Sequence, residues 1–437
     1  MLRTTDDFYD WDQLIDEQRA HASTSIFVDE QIYALEVERI FNRSWLFLGH
    51  ATEIPNPGDF VTRRMGDDQV ILIRGDDGKP RAFLNQCPHR GSLISKLDNG
   101  NCQHFVCSYH GWTFNNAGQL KTTSYDDFYQ GKLDFSANGL RAVAQLDSHG
   151  ELIFATWDAD AVSLSDYLGD MKWYLDIYFN RTPGGMEVLA PPQRWIVNTN
   201  WKLGALNFGT DNQHLHPTHM GPTALGILGA PINEVVNALG SSYQISLDGG
   251  HGCVNTTLPH DDLPYTGLPK ELIPLYEQTL SPEQATILRR NVVTVGNVFP
   301  YLAWIQVALD TERKGEAIAA GTLRLWQPIG PHQIELTCWY LAEKEAPEAH
   351  KQAVLAEGLR TFGMSGMFEE DDLDIWSSIV TAGKGSIAST STMNFETALN
   401  FEPVDDFPGP GRAYFPMLPE CEQFNLLKHW KQVMSRR

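Results

Sequence analysis

Residues 86–112 read 86-QCPHRGSLISKLDNGNCQHFVCSYHGW-112 and hold three of the chain's six cysteines. Written as spacing, they give Cys87-x-His89, seventeen intervening residues, then Cys107-x-x-His110. Each half closes on a glycine, Cys87-Pro88-His89-Arg90-Gly91 and Cys107-Ser108-Tyr109-His110-Gly111. Proline fixes φ, and glycine reaches backbone conformations that a side chain forbids. Each half is therefore expected to fold into a loop tip presenting two ligands, and two tips side by side make a cage of two thiolates and two imidazoles. A structural zinc takes such a set as a tetrahedron. A two-iron, two-sulfur centre instead puts both thiolates on one iron and both imidazoles on the other. One Cys and one His in each loop suits the second arrangement, since each tip then gives one ligand to each iron.

Around this stretch the texture is that of short strands divided by Gly, Asp and Pro: WLFLGH, DFVTRRM, DQVILIRG, PRAFLNQC, HFVCSYHGWTF and ELIFATW. An all-β domain over residues 43–161 is expected. Before it, 27-FVDEQIYALEVERIFNRSW-45 places apolar residues near a helical period, with Asp29 and Glu30 in the first turn. After it come helical stretches around 164–179, strand-like runs at Arg194–Asn198, Gly321–Trp326 and 334-IELTCWYL-341, then helices over 347–362, from about Phe368, and over 425–434. The segment 255–285, with its prolines and acidic residues, reads as a mobile loop or lid. Residues 1–42 and 162–437 thus form a second domain. The fold class is α+β, an all-β domain inserted near the N-terminus of a catalytic domain built on a central antiparallel sheet.

With 437 residues, 42% of them hydrophobic and 20% charged, the chain has ample core for two domains. A net charge of −22 argues against duplex nucleic acid as a partner. No run approaches the roughly 20 apolar residues needed to span a bilayer, and the acidic start, MLRTTDDFYDWDQL, lacks a signal-peptide core, so a cytoplasmic chain is expected. Six cysteines are too few for a disulfide scaffold; Cys102, Cys253, Cys338 and Cys421 read as plain thiols.

A second cluster lies in 200-NWKLGALNFGTDNQHLHPTH-219, with His214, His216 and His219 inside six residues. Oxygen-activating ferrous iron is held by two histidines and one carboxylate on one face, leaving positions open. His214 and His219 are five apart, about 140° round an ideal helix, so a broken turn must bring them together, and Pro217 between them is its expected cause. His216 reads either as a residue facing the pocket or as a satisfied polar residue, the second being preferred. For the carboxylate, 366-GMFEEDDLDIW-376 offers five acidic residues, most of them expected on a solvated helix start.

CPHRG followed by CSYHGW resembles the Rieske signature of aromatic ring-hydroxylating oxygenases. D-x-x-H-x-x-x-x-H at Asp211, His214 and His219, preceded by Asn200-Trp201-Lys202, is similar to that family's iron motif. The FEEDD run lies where naphthalene and biphenyl dioxygenases place their iron-binding aspartate. The resemblance implies a Rieske [2Fe–2S] cluster on Cys87, His89, Cys107 and His110, and mononuclear Fe(II) on His214, His219 and Asp372, with Asp371 as the runner-up ligand. It makes Asp211 the bridging aspartate, on a path from His110 of the partner subunit to His214. It puts Asn207, Phe208, Leu215, Phe362 and Phe368 at the substrate pocket, with Phe299 a possible addition. The activity implied is that of a terminal oxygenase α subunit, which uses O2 and NADH-derived electrons to cis-dihydroxylate an aromatic ring. Monooxygenation, by hydroxylation or demethylation of an aromatic acid, is the alternative. No G-x-G-x-x-G opens a nucleotide-binding helix, so the electrons are expected from a ferredoxin, a reductase or both. A small β subunit is the further partner, in an α3β3 assembly or, second, α3.

Overall fold

The structure, a computed structural model, describes residues 9–229, 238 and 240–436. It divides into two compact units, Phe41–Leu164 and the remainder, Met1–Ile40 with Ser165–Arg437.

The inserted unit is all-β apart from short 3-10 turns. Asp59–Met65, Asp68–Arg74 and Pro80–Leu84 form an antiparallel meander, and Asn99–Asn101 pairs on its far edge. Gly66, at φ 60°, supplies the left-handed turn that lets Met65 pair directly with Asp68. His104–Val106, Thr113–Asn115 and Leu120–Thr122 make a second sheet, and Leu46–His50, Gln145–His149 and Leu152–Thr156 a third. Between them Phe60, Ile71, Ile73, Phe83, Phe105, Trp112 and Phe114 pack a core that also takes in Cys87 and Cys107.

The larger unit is built on a nine-stranded sheet in which every pairing is antiparallel. Its order is Met186–Val188, Gln333–Glu343, Ile318–Gly330, Leu302–Leu309, Asn291–Val298, His251–Thr257, Tyr243–Leu247 and Arg412–Tyr414, and Gln193–Val197 also pairs with Gln333–Glu343. The fold is thus α+β, as the order of patterns predicts.

Against this sheet runs the Trp201–Thr210 helix, capped by Asn200, whose side chain accepts from Lys202 N. Its first turn is held by a buried acid from far upstream. Glu36 accepts hydrogen bonds from Trp201 Nε1 (2.9 Å), Lys202 Nζ (2.5 Å) and Trp430 Nε1 (2.7 Å), and neither Glu36 nor Lys202 is exposed at all. A pair buried this deeply is tolerated because each charge has its counter-charge and hydrogen bonds.

Three expectations change. The helix predicted over 27–45 is shorter, Glu30–Glu36 followed by a π turn Val37–Phe41. Asp29 is its N-cap rather than a first-turn residue, accepting from Gln31 N and Ile32 N. Residues 255–285 are no bare loop: they finish a strand, then form Ile273–Thr279 and the start of Pro282–Arg290, a helix opened by a Ser281/Gln284 capping box. The closing helix begins earlier than 425, at Cys421.

Candidate active site

The two cysteine loops are built alike. Cys87 N donates to Ser92 O and Gly91 N to Cys87 O; Cys107 N donates to Trp112 O and Gly111 N to Cys107 O, all at 2.8–2.9 Å. Gly91 and Gly111 both sit at positive φ, 75° and 69°, the left-handed geometry that closes each tip. Cys87 and Cys107 are 2% exposed, whereas both imidazoles are half-buried. The His89 and His110 rings stand 4.6 Å apart, and His89 stacks on Trp112 at 4.8 Å. Burial, together with the neighbouring His110 and Arg90, lowers the His89 pKa below its ordinary value. Its Nδ1 is buried with no hydrogen-bond partner. Two inner thiols, two outer imidazoles and an orphaned ring nitrogen fit a cluster bound by sulfur on one side and nitrogen on the other.

In the larger unit, His214, His219 and Asp372 offer ligand atoms that all lie within 4.8 Å of one another. Nε2 of His214 is 3.6 Å and Nε2 of His219 is 3.4 Å from Asp372 Oδ1. Ligands about 2.1 Å from one ion at right angles stand about 3 Å apart, so modest closure around a metal satisfies all three. Asp372 is 8% exposed, and its Oδ1 has no hydrogen-bond partner, as expected of an oxygen whose partner is an ion.

Each histidine has a carboxylate behind it. Asp211 Oδ1 stands 3.5 Å from Nδ1 of His214 and also accepts from His214 N. Asp371 Oδ2 stands 3.3 Å from Nδ1 of His219. The hydrogen bond of Asp371 to Nδ1 of His219 fixes the tautomer that leaves its Nε2 free for metal, and Asp211 places a negative charge beside Nδ1 of His214. Burial disfavours the charged His214, but Asp211 and Asp372 outweigh it and raise its pKa. The structure thus brings together His214, His219 and Asp372, and places Asp371 outside that triad, behind His219.

The break between the histidines differs from expectation. The helix ends at Thr210 because Asp211 is extended, at φ −73° and ψ 90°; a short turn, Leu215–Thr218, follows, and the chain kinks again at His219. Pro217 lies third in that turn, among the first N–H groups, which have no intrahelical partner in any case, so it is tolerated there rather than being the breaker.

A cavity opens on the triad. Asn207, Phe208, Leu215, Phe362 and Phe368 all line it, as do Asp211, Asn212 and His216. His216 is exposed and lines the cavity, the first of its two readings. Phe299 does not reach the cavity: it is buried against Trp201 and His429 on another side of the site helix. The sequence reading missed the cavity's floor. Val254, Val295 and Ile305 are cross-strand partners in one row, and Thr256, Val293 and Val307 in the next, every one of them lining the cavity. Period-two alternation was the available signal, but it does not say which face is buried.

The acidic run is also more buried than expected. Glu369 and Asp372 share an inward face of the Glu369–Gly383 helix with Trp376, whereas Glu370 and Asp374 are exposed. Burial pushes the Glu369 carboxyl up to about 7 against the pull of Arg324.

Comparison with known proteins places the chain among relatives of one family. Residues 44–127 match the family described as Rieske [2Fe-2S] domain. The alpha subunit of biphenyl 2,3-dioxygenase from Rhodococcus jostii (strain RHA1) is 32% identical, over 97% of this chain and 91% of its own length. The alpha subunit of an N,N-dimethyl phenylurea N-demethylase from Sphingobium sp. (strain YBL2) is also 32% identical, over 94% and 91%. The crystal structure of naphthalene 1,2-dioxygenase from Rhodococcus sp. bound to indole aligns with a TM-score of 0.91 at 38% identity, covering 97% of each chain. The chain belongs to the Rieske aromatic ring-hydroxylating dioxygenases, as a large, or α, subunit. It is an oxidoreductase of a multicomponent system, with a Rieske [2Fe–2S] cluster and a mononuclear iron that works with O2. Among the described residues no helix is long and apolar enough to cross a membrane.

Proposed function

We propose that Cys87, His89, Cys107 and His110 hold the cluster, that His214, His219 and Asp372 hold the mononuclear iron, and that the substrate is a neutral arene dihydroxylated in the cavity above them. When bound, the cluster supplies electrons singly and the ferrous ion supplies the coordination positions at which dioxygen is activated.

The residues of the chain do the rest. Phe208, Phe362 and Phe368 and the two rows of floor side chains remove a flat ring from water, at roughly 25 cal/mol for each Å² of apolar surface buried. Asn207 and Asn212 are among the few uncharged polar groups facing it. Asp211 orients the His214 imidazole and, being part-exposed, offers its carboxylate to His110 of the partner subunit. A trimeric ring with a small β subunit, α3β3 before α3, supplied with electrons by a ferredoxin or reductase in the cytoplasm, completes the reading. The residue division 43–161 against 1–42 and 162–437 gives the cluster and the iron their separate domains.

The observation that carries the substrate class is the cavity lining, which among the described residues includes no Lys or Arg to meet a carboxylate. The test is product analysis under isotopically labelled O2 with naphthalene, biphenyl, phthalate and salicylate. Two labelled atoms on naphthalene or biphenyl, with phthalate and salicylate left unchanged, is the expected result. Turnover of the acids alone overturns the substrate class. Incorporation of one atom only, or formaldehyde released from an N-methyl arylurea, moves the reaction to the monooxygenase alternative.

A further inference from the structure

We propose that Arg324 and Glu369 are positioning residues for the Asp372 carboxylate, an inference that rests on His214, His219 and Asp372 being the iron site. Arg324 stands on the Ile318–Gly330 strand with no exposed surface. Its Nη1 donates to Glu369 Oε2, its Nη2 to Phe362 O at 2.9 Å, and its Nε to Thr322 Oγ1 at 3.4 Å. The guanidinium also lies over the Phe208 and Phe362 rings, 5.3 and 5.2 Å from their centroids. Both rings face the cavity, whereas Arg324 itself lines none of it.

Glu369 is the first residue of the helix that carries Asp372 three positions on, so the two carboxylates share one face. A carboxylate pinned at the first turn fixes both the rotation and the depth of that turn. Burying a charged pair is a poor source of stability, since apolar replacements of similar volume usually serve as well or better. What the fork of Arg324 gives that a leucine cannot is direction: three donors aimed at a strand hydroxyl, a helix carboxylate and the carbonyl of a cavity residue. Placement of a ligand oxygen to within about half an ångström is the kind of demand that such support meets.

The test measures ferrous iron binding, with the cluster as internal control. Protein stripped of mononuclear iron but keeping its cluster absorbance is titrated anaerobically with Fe(II), and its nitric oxide adduct is recorded by EPR. The double variant Arg324→Met with Glu369→Leu is expected to keep the cluster spectrum and far-UV dichroism while binding Fe(II) about tenfold or more weakly, with an altered nitrosyl signal. Wild-type affinity and an unchanged signal in that variant overturn the inference. If the double variant does not fold, Arg324→Lys carries the test: it keeps the charge but loses the fork, and it too is expected to weaken Fe(II) binding, an unchanged affinity being the contrary result. Wild-type protein that takes up no Fe(II) beyond its cluster refutes the iron site itself, a different failure from a variant that binds as well as wild type.

Discussion

Nε2 of His219 lies 3.4 Å from Asp372 Oδ1, while the opposite nitrogen of the same ring lies 3.3 Å from Asp371 Oδ2. The ring therefore distinguishes two adjacent aspartates, one towards the centre and one behind. Asp372→Ala is expected to lose mononuclear iron and product formation while the cluster spectrum stays; Asp371→Ala is expected to keep its iron with affinity reduced about tenfold. Metal analysis of both variants decides, and an iron-free Asp371→Ala beside an iron-loaded Asp372→Ala reverses the assignment.

Asp211→Asn removes the charge behind His214 but keeps the shape. The variant is expected to retain cluster and mononuclear iron and to form product at least 10²-fold more slowly, with substrate affinity little changed. A rate near that of wild type in steady-state assays sinks the role given to Asp211.

Glu422 gives a pH dependence. Its carboxyl is fully buried and lies over Gly209 and Gly252, where a Cβ would come within 2.9 and 2.1 Å of it. Burial pushes its pKa up to about 8, with the Thr210 hydroxyl and Arg412 offsetting only part. A raised carboxyl binds its proton more tightly in the folded chain, so its contribution is fully present below the unfolded value near 4.5 and is lost as pH rises through about 8. Between those limits stability should fall by about 1.4 kcal/mol per pH unit from this group. Denaturation midpoints for wild type and Glu422→Gln at pH 6 and pH 9 should show a smaller drop in the variant; equal drops count against it.

Lys202→Met strands the Glu36 charge, since Glu36 then keeps only its two indole donors. A loss of about 3–5 kcal/mol is expected from breaking one side of such a pair. Replacing Glu36 by Gln as well should recover part of it in the same denaturant titration, because no buried charge is then left alone.

The cysteine loops were legible because each is local: two ligands, a turn and a closing glycine fall within five residues. The α+β class followed from the order of β-rich and helical patterns, which survives errors in individual boundaries. What escaped notice depends on partners distant in sequence. Arg324 looks like any strand arginine until Glu369 and the Phe362 carbonyl meet it, and the valine rows become a floor only once three strands are in register. In the acidic run, charge pattern alone pointed outwards; the inward turn of Glu369 and Asp372 depends on the arginine and the histidines that face them.

Glu36 precedes the inserted β unit, yet the donors that neutralise and satisfy it come from residues 201, 202 and 430. During synthesis, residues 41 to 164 have all their own strands in hand while most of the polypeptide is still unmade. The larger unit is different: its acid waits through nearly four hundred codons for Trp430, so this buried cluster cannot close until residue 430 has been made.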